Sequence, residues 1–257
     1  MNTKTKTLCS YYGGSHLYHL MTPDSDLDER GVFMHLDPEY VLGTKRFDEE
    51  RTQNDETDRV LKELSHFGSL VRKSNSEAME VLFCNESEFI FLSDEFKLLR
   101  ELGKNFVDSK HLFNCLRGYM KGELRLACGE RKGKIGGKRY EKLQEVGFSP
   151  KNFVQLFRLA QLGVTFFTKD KYVVDTREFG KEFHEFLMSV KTTSENHSVE
   201  NLKEIVESYE TDLVDAFENR VVDRKFNEDL FNKFLVKVYH PVVHEAFLRG
   251  STLEGGF

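Results

Sequence analysis

Asp26 and Asp28 stand two residues apart in the run Tyr11 to Phe33, YYGGSHLYHLMTPDSDLDERGVF. Residues so spaced on a strand project to the same side of the sheet. Two carboxylates side by side repel unless a cation or a shared proton relieves them. Hard oxygen ligands in this pattern suit Mg²⁺, which takes one or two carboxylates together with substrate phosphates, and Mn²⁺ accepts the same donors. Upstream lies Gly14-Ser15. Glycine lets backbone approach a ligand closely, and free N–H groups where a helix begins favour phosphate. With His16 to Met21 read as the start of a helix, one short segment supplies a phosphate cradle and a metal pair. A lone Asp-x-Asp is ordinarily a solvated turn and a lone Gly-Ser an ordinary loop. Their order and spacing together carry the chemistry.

These residues need a sheet edge to hold them. Leu8 to Tyr12 reads as a strand ending at Gly13-Gly14, and Asp26 to His35 as a second strand after a Pro23-Asp24-Ser25 turn. Residues 45–59 are polar and read as a loop. Val60 to Val71 shows helical spacing through Leu61, Leu64, Phe67 and Leu70. Ala78 to Cys84 and Phe96 to Phe106 read as further helices. The remainder is mainly helical, with stripes at Leu112, Leu116, Tyr119 and Met120, at Phe153, Leu156, Phe157 and Ala160, and from Leu202 to Phe217. A strand pair is expected at Val164–Thr168 and Tyr172–Val174, turning at Lys169-Asp170-Lys171. A last helix, from about Leu230 to Leu248, should kink or break at Pro241. The fold class is therefore α+β. An N-terminal mixed sheet with helices spans residues 1–105, and a mainly helical part spans 106–257.

The chain of 257 residues is 39% hydrophobic and 31% charged, a globular balance. Its net charge of −6 excludes a whole-protein attraction to nucleic acid. Such contact needs a local basic patch, for which the Gly-rich segment 129–142, with Arg131, Lys132, Lys134, Lys138, Arg139 and Lys142, is the candidate. A charged solvated loop is the commoner reading of such a segment. The 23 phenylalanines recur at helical spacing and read as packing. Cys9, Cys84, Cys115 and Cys128 lack zinc-like spacing and read as reduced thiols of a cytoplasmic protein. Residues 1–7 do not resemble a signal peptide, and no apolar stretch is long enough to span a membrane. His240 and His244 lack the intervening Glu of a hydrolytic zinc motif and read as structural.

The Gly-Ser turn followed by Asp-x-Asp resembles the signature of the DNA-polymerase-β-type nucleotidyltransferases. More narrowly, the segment resembles the predicted nucleotidyltransferases associated with bacterial RNA repair, which also occur in large phages. That branch reads GS-x-x-YG and then SD-x-D-x-RGV. Gly14, Ser15, Tyr18, Ser25, Asp26, Asp28, Arg30, Gly31 and Val32 match. His19 replaces the glycine, and Glu29 stands where an apolar residue is usual. Further on, Asn75 and Glu80 match a helix–turn–helix with Ser76 in place of proline. Lys151 and Arg158 match a Lys-x-x-x-His-x-x-Arg helix with Gln155 in place of histidine. The likeness covers most of residues 8–190.

The resemblance implies transfer of a nucleoside monophosphate from an NTP, ATP first among them, to a hydroxyl acceptor with loss of pyrophosphate. It implies metal ligation and catalysis by Asp26, Asp28 and a third carboxylate on a neighbouring strand. Asp58 is placed there, with Glu80 as the alternative and Asp55 a weaker one; Asp58 also suits a helix N-cap. Gly14, Ser15, Arg30, Lys151 and Arg158 are the implied nucleotide contacts. An RNA end is the expected acceptor, through segment 129–142. A protein or small-molecule hydroxyl, or a silent nucleotide-binding module, are the rival readings. The expected place is the cytoplasm, the host's for a phage-encoded chain.

Overall fold

The structure is a computed structural model that describes residues 4–53, 57–130 and 138–250. The chain runs β1 (Thr5–Tyr12), β2 (Leu27–His35), α1 (Pro38–Val41), β3 (Glu49–Gln53), β4 (Thr57–Glu63), α2 (Leu64–Arg72), α3 (Ser76–Phe83), β5 (Phe89–Leu92), α4 (Asp94–Glu101), α5 (Ser109–Ala127), α6 (Lys138–Val146), α7 (Pro150–Lys169), α8 (Lys181–Thr192), α9 (Val199–Glu218) and α10 (Glu228–Gly250). The fold is α+β: a mixed sheet in the order β3-β4-β2-β1-β5, followed by a helical C-terminal part.

The sheet's centre fixes the geometry of the site. β1 and β2 are antiparallel, and β2 runs parallel to β4 with Asp28 opposite Asp58, Glu29 opposite Arg59 and Gly31 opposite Leu61. Glu29, polar where the family usually has an apolar side chain, is thereby matched: Arg59 Nε lies 3.3 Å from its carboxylate. At Gly31 the strands come so close that a Cβ would fall 2.3 Å from the Cys9 carbonyl oxygen and 2.7 Å from Leu61 Cδ2.

Several expectations are corrected. Residues 45–59 are not a loop throughout, because β3 and the start of β4 lie there. The helix expected from Val60 begins at Leu64, since Val60 and Leu61 sit in the sheet opposite Arg30 and Gly31. Its N-cap is Glu63, whose side chain accepts from the Ser65 and His66 backbone N–H groups. Asp58 is thus a strand residue rather than a cap. β5 escaped notice because four residues are too short to show a period. The strand pair at 164–174 does not form: α7 continues to Lys169 and ends at Asp170 in the left-handed region, φ 51°. Thr165, Phe166 and Phe167 face the core there, so burial overrides their β preference. α10 runs through Pro241 unbroken, because its apolar stripe of Phe231, Phe234, Val238 and Val242 stays buried across that position.

One cluster of buried residues joins sheet and helices, from Leu8 through Phe67, Phe106 and Phe157 to Val242, without a break at residue 105. α5 and α9 pack on α7, whose Phe153, Leu156, Phe157 and Ala160 are fully buried. α10 is tied back to α2 by Arg72, which pairs with Glu228 at 2.9 Å and lies over the Phe231 ring. Gly31→Ala should lose more than about 2 kcal/mol in urea unfolding, because the added methyl meets backbone. Gly118→Ala in α5, where a Cβ meets nothing within 4 Å, should instead gain about 0.5–1 kcal/mol from helix propensity.

Candidate active site

The β1–β2 connection builds one wall. As the chain leaves β1, the Gly13 N–H donates to the Asp28 carbonyl at 2.8 Å, which seats the turn against the first carboxylate strand. Gly13 lacks a Cβ for a reason: one would stand 2.9 Å from Cγ of Arg30. Gly14 takes φ +59°, and a Cβ there would lie 3.8 Å from Asp28 Oδ2. The helix expected over His16–Met21 is a series of turns, closed by Tyr18 N–H to the Gly14 carbonyl and Leu20 N–H to the Ser15 carbonyl. Buried Leu17 and Leu20 anchor it. Ser25 Oγ then accepts from the Thr22 N–H at 2.8 Å, so the loop delivers Asp26 one residue ahead of β2 in a fixed course.

His19 explains why the related motif carries glycine at this position. Its φ is +56°, in the left-handed region. The ring is restrained instead by Glu88, 3.1 Å from Nε2, and by Asp175 at 3.6 Å. Burial opposes the Asp175 charge, but hydrogen bonds from Arg177 and the field of His19 outweigh it and hold the carboxyl below its usual range.

Tyr18 is the pin of the turn. Its carbonyl accepts from Thr176 Oγ1 at 2.7 Å, and its hydroxyl donates to Glu80 Oε2 at 2.6 Å. The Arg158 guanidinium lies 3.6 Å from its ring centroid and pairs with Glu80 Oε1 at 2.7 Å. Burial first, and then the Glu80 charge against the relief from Arg158, push the Tyr18 hydroxyl pKa upward, so it stays a donor. Arg158 is fully buried. It lies outside the cleft lining, held by Glu80 and Gln155, and its Nη1 is buried without a hydrogen-bond partner among the described residues. Glu80, the alternative third carboxylate, is engaged by the same pair.

A cleft of ≈ 750 Å³ opens over this wall, within the range of about 300–1,000 Å³ typical of ligand sites. Gly14, Ser15, Asp26, Asp28 and Arg30 line it together with Glu80, Lys151, Gln155 and Lys191. The structure thus brings together seven of the site residues expected from sequence: Gly14, Ser15, Asp26, Asp28, Arg30, Glu80 and Lys151. Asp58 sits one strand over from Asp28, outside the cleft lining. Arg30 bridges the two, 3.5 Å from Asp28 Oδ1 and 3.4 Å from Asp58 Oδ2, and Arg51 lies 3.1 Å from the same Asp58 oxygen. Asp58 Oδ1 is buried without a hydrogen-bond partner among the described residues.

The donor set accordingly suits a hard divalent ion at Asp26 and Asp28, completed by substrate phosphate oxygens. It is not a protein cage: among the described residues no group of three or more His, Cys, Asp or Glu is spaced to hold an ion. The expected triad of Asp26, Asp28 and Asp58 is gathered at one end of the sheet, but Arg30 stands between its last two members. Asp55 lies outside the described residues, as do residues 131–137 of the basic segment. Lys191 was not foreseen, since it lies far from the motifs in sequence and no local pattern marks it.

A strand-delivered carboxylate pair beside a glycine turn, in a mixed sheet backed by helices, defines a nucleotidyltransferase-like protein of the polymerase-β type. The chain belongs to the RNA repair pathway DNA polymerase beta family, whose model matches residues 2–237. Among solved structures it is similar to a nucleotidyltransferase-like protein from Exiguobacterium sibiricum 255-15, at 12% identity, over 93% of this chain and 74% of that one, with a TM-score of 0.31. No curated protein matches it.

Two stability measurements follow from this geometry. Arg158→Met strands the buried Glu80 carboxylate and should cost about 3–5 kcal/mol, whereas Arg158→Met combined with Glu80→Leu should recover most of that loss. A phosphate-contacting surface arginine would show neither effect. At position 19, His19→Ala should be less stable than His19→Gly by about 1 kcal/mol, because only glycine relieves the left-handed backbone.

Proposed function

We propose that the protein is a divalent-metal-dependent nucleotidyltransferase that moves a nucleoside monophosphate from an NTP, ATP by preference, onto a hydroxyl at an RNA end. The observation that carries this reading is the cleft, which the Gly14-Ser15 turn and the Asp26–Asp28 pair line together with Lys151 of α7 and Lys191 of α8. The RNA acceptor draws its support from the family's description as an RNA repair pathway group and from the basic segment 129–142. Work in the cytoplasm is part of the same proposal. No helix among the described residues is long and apolar enough to cross a membrane.

Asp26 and Asp28 are the residues that would hold Mg²⁺ or Mn²⁺, and such an ion supplies Lewis-acid stabilisation of phosphoryl charge when bound. The chain's own groups do the rest. The Gly14-Ser15 backbone and the Ser15 hydroxyl orient the polyphosphate, and Lys151 of the same cleft balances its charge. The acceptor oxygen attacks the α-phosphorus, its bond to the β-phosphate bridging oxygen breaks, and pyrophosphate leaves with the electron pair. Asp58 is assigned as the third carboxylate in preference to Glu80, which Arg158 occupies; its role is to accept the acceptor's proton. Arg30 then leaves Asp58 for the nucleotide side of the cleft.

One observation favours a silent nucleotide-binding module: two arginines, Arg30 and Arg51, already neutralise Asp58. Incubating the protein with each α-labelled NTP, Mg²⁺ or Mn²⁺, and separate RNA, protein and aminoglycoside acceptor pools distinguishes the readings. Label should enter RNA from ATP, and Asp26→Asn or Asp28→Asn should reduce it by on the order of 10³-fold, the scale for groups acting in the transition state. Label in another pool would replace the acceptor. Tight ATP binding without transfer to any pool would favour the silent module.

A further inference from the structure

Lys191, in the last turn of α8, lines the same cleft as Gly14 and Ser15. Its ammonium donates to the Leu20 carbonyl and lies 3.5 Å from Ser25 Oγ. Both partners are neutral oxygens, so the charge is partly withdrawn from water without being neutralised by them. Burial, and then the nearby Lys151 charge, push its pKa below the ordinary lysine value. Two lysines whose charges act on each other in one cleft repeat, with opposite sign, the logic of the Asp26–Asp28 pair. Of the other carboxylates that line the cleft, Glu77 pairs with Lys62, Glu80 pairs with Arg158 and Glu123 accepts from the Asn152 side chain, and like charges gathered in a partly buried site are relieved by a counter-charge between them. The first turn of α7 lines the same cleft through Lys151 and Asn152 and adds the positive end of a 20-residue helix.

We infer that Lys191 is a polyphosphate ligand, which together with Lys151 and the α7 N-terminus forms the cationic part of the cleft that the Gly14-Ser15 turn also lines. The chemistry it recognises is a chain of linked phosphates, whether the triphosphate of a nucleotide or inorganic tripolyphosphate. Lys191 also holds the loop that carries Asp26, through Leu20 and Ser25, so capture of phosphate and placement of the carboxylates share one side chain. This inference rests on the nucleotide-binding reading of the cleft.

The test is titration calorimetry of the full chain with Mg²⁺-ATP and with Mg²⁺-tripolyphosphate. Lys191→Met should weaken both by the same factor of about tenfold, the scale of a lost charge-assisted hydrogen bond. Lys191→Arg should stay near wild type. Unchanged tripolyphosphate affinity in Lys191→Met would overturn the inference, as would a loss confined to ATP, which would mark an effect on the nucleoside end. Lys191→Arg as weak as Lys191→Met would assign the effect to packing. In each of these cases the nucleotide-binding reading stands. If the wild type binds neither ligand, that reading falls with it.

Discussion

The buried Arg158–Glu80 ion pair is the constraint around which the site is arranged. A charge this deep is tolerated only when its partner and its hydrogen bonds are in place. Glu80 satisfies the condition with both oxygens, one toward Arg158 and one toward the Tyr18 hydroxyl. The Tyr18 ring lies beneath the guanidinium, and its carbonyl is fastened to Thr176. Four segments distant in sequence, the glycine turn, α3, α7 and the 3₁₀ turn at Thr176–Phe179, are therefore locked by one polar cluster. A shift of the glycine turn would break the Tyr18 hydrogen bond to Glu80 and its ring contact with Arg158. That rigidity is what a phosphate-orienting backbone requires.

On the open side of the turn the electrostatics run the other way. Asp26, Asp28 and Asp58 gather negative charge at one end of the parallel β2–β4 pair, and Arg30 and Arg51 offset part of it. Lys151 and Lys191 add positive charge to the same cleft. The helix carboxylates that also line it are engaged elsewhere, Glu77 by Lys62, Glu80 by Arg158 and Glu123 by Asn152. A ligand that is anionic and carries a divalent cation is the one that satisfies both. The overall charge of −6 hides this arrangement completely.

Much of the first wall was legible in the sequence because it is local. Gly14, Ser15, Asp26 and Asp28 belong to one short segment whose turn and strand signals are strong. Asp58 was placed on a neighbouring strand by resemblance alone, and its polar surroundings disguised β3 and β4 as loop. A strand of polar residues only, such as EERTQ, gives no apolar period to detect. Arg158 shows a different limit. Helical spacing says which residues share a face, not how deep that face lies, and a charged side chain is normally exposed. What covers it is Tyr18 of the glycine turn and Glu80 of α3, both distant in sequence. Lys191 depends on tertiary approach over more than half the chain, which no window of sequence contains.

His19 has a further consequence, for how the chain can change over time. Its left-handed backbone is compensated by Glu88 and Asp175. Replacement of those carboxylates is harmful while histidine remains, but their link to position 19 loses its purpose once glycine is there. The three positions are thus epistatic, and the order of substitution decides which routes stay open. The left-handed backbone at position 19 and the two carboxylates around its ring therefore belong to one structural unit.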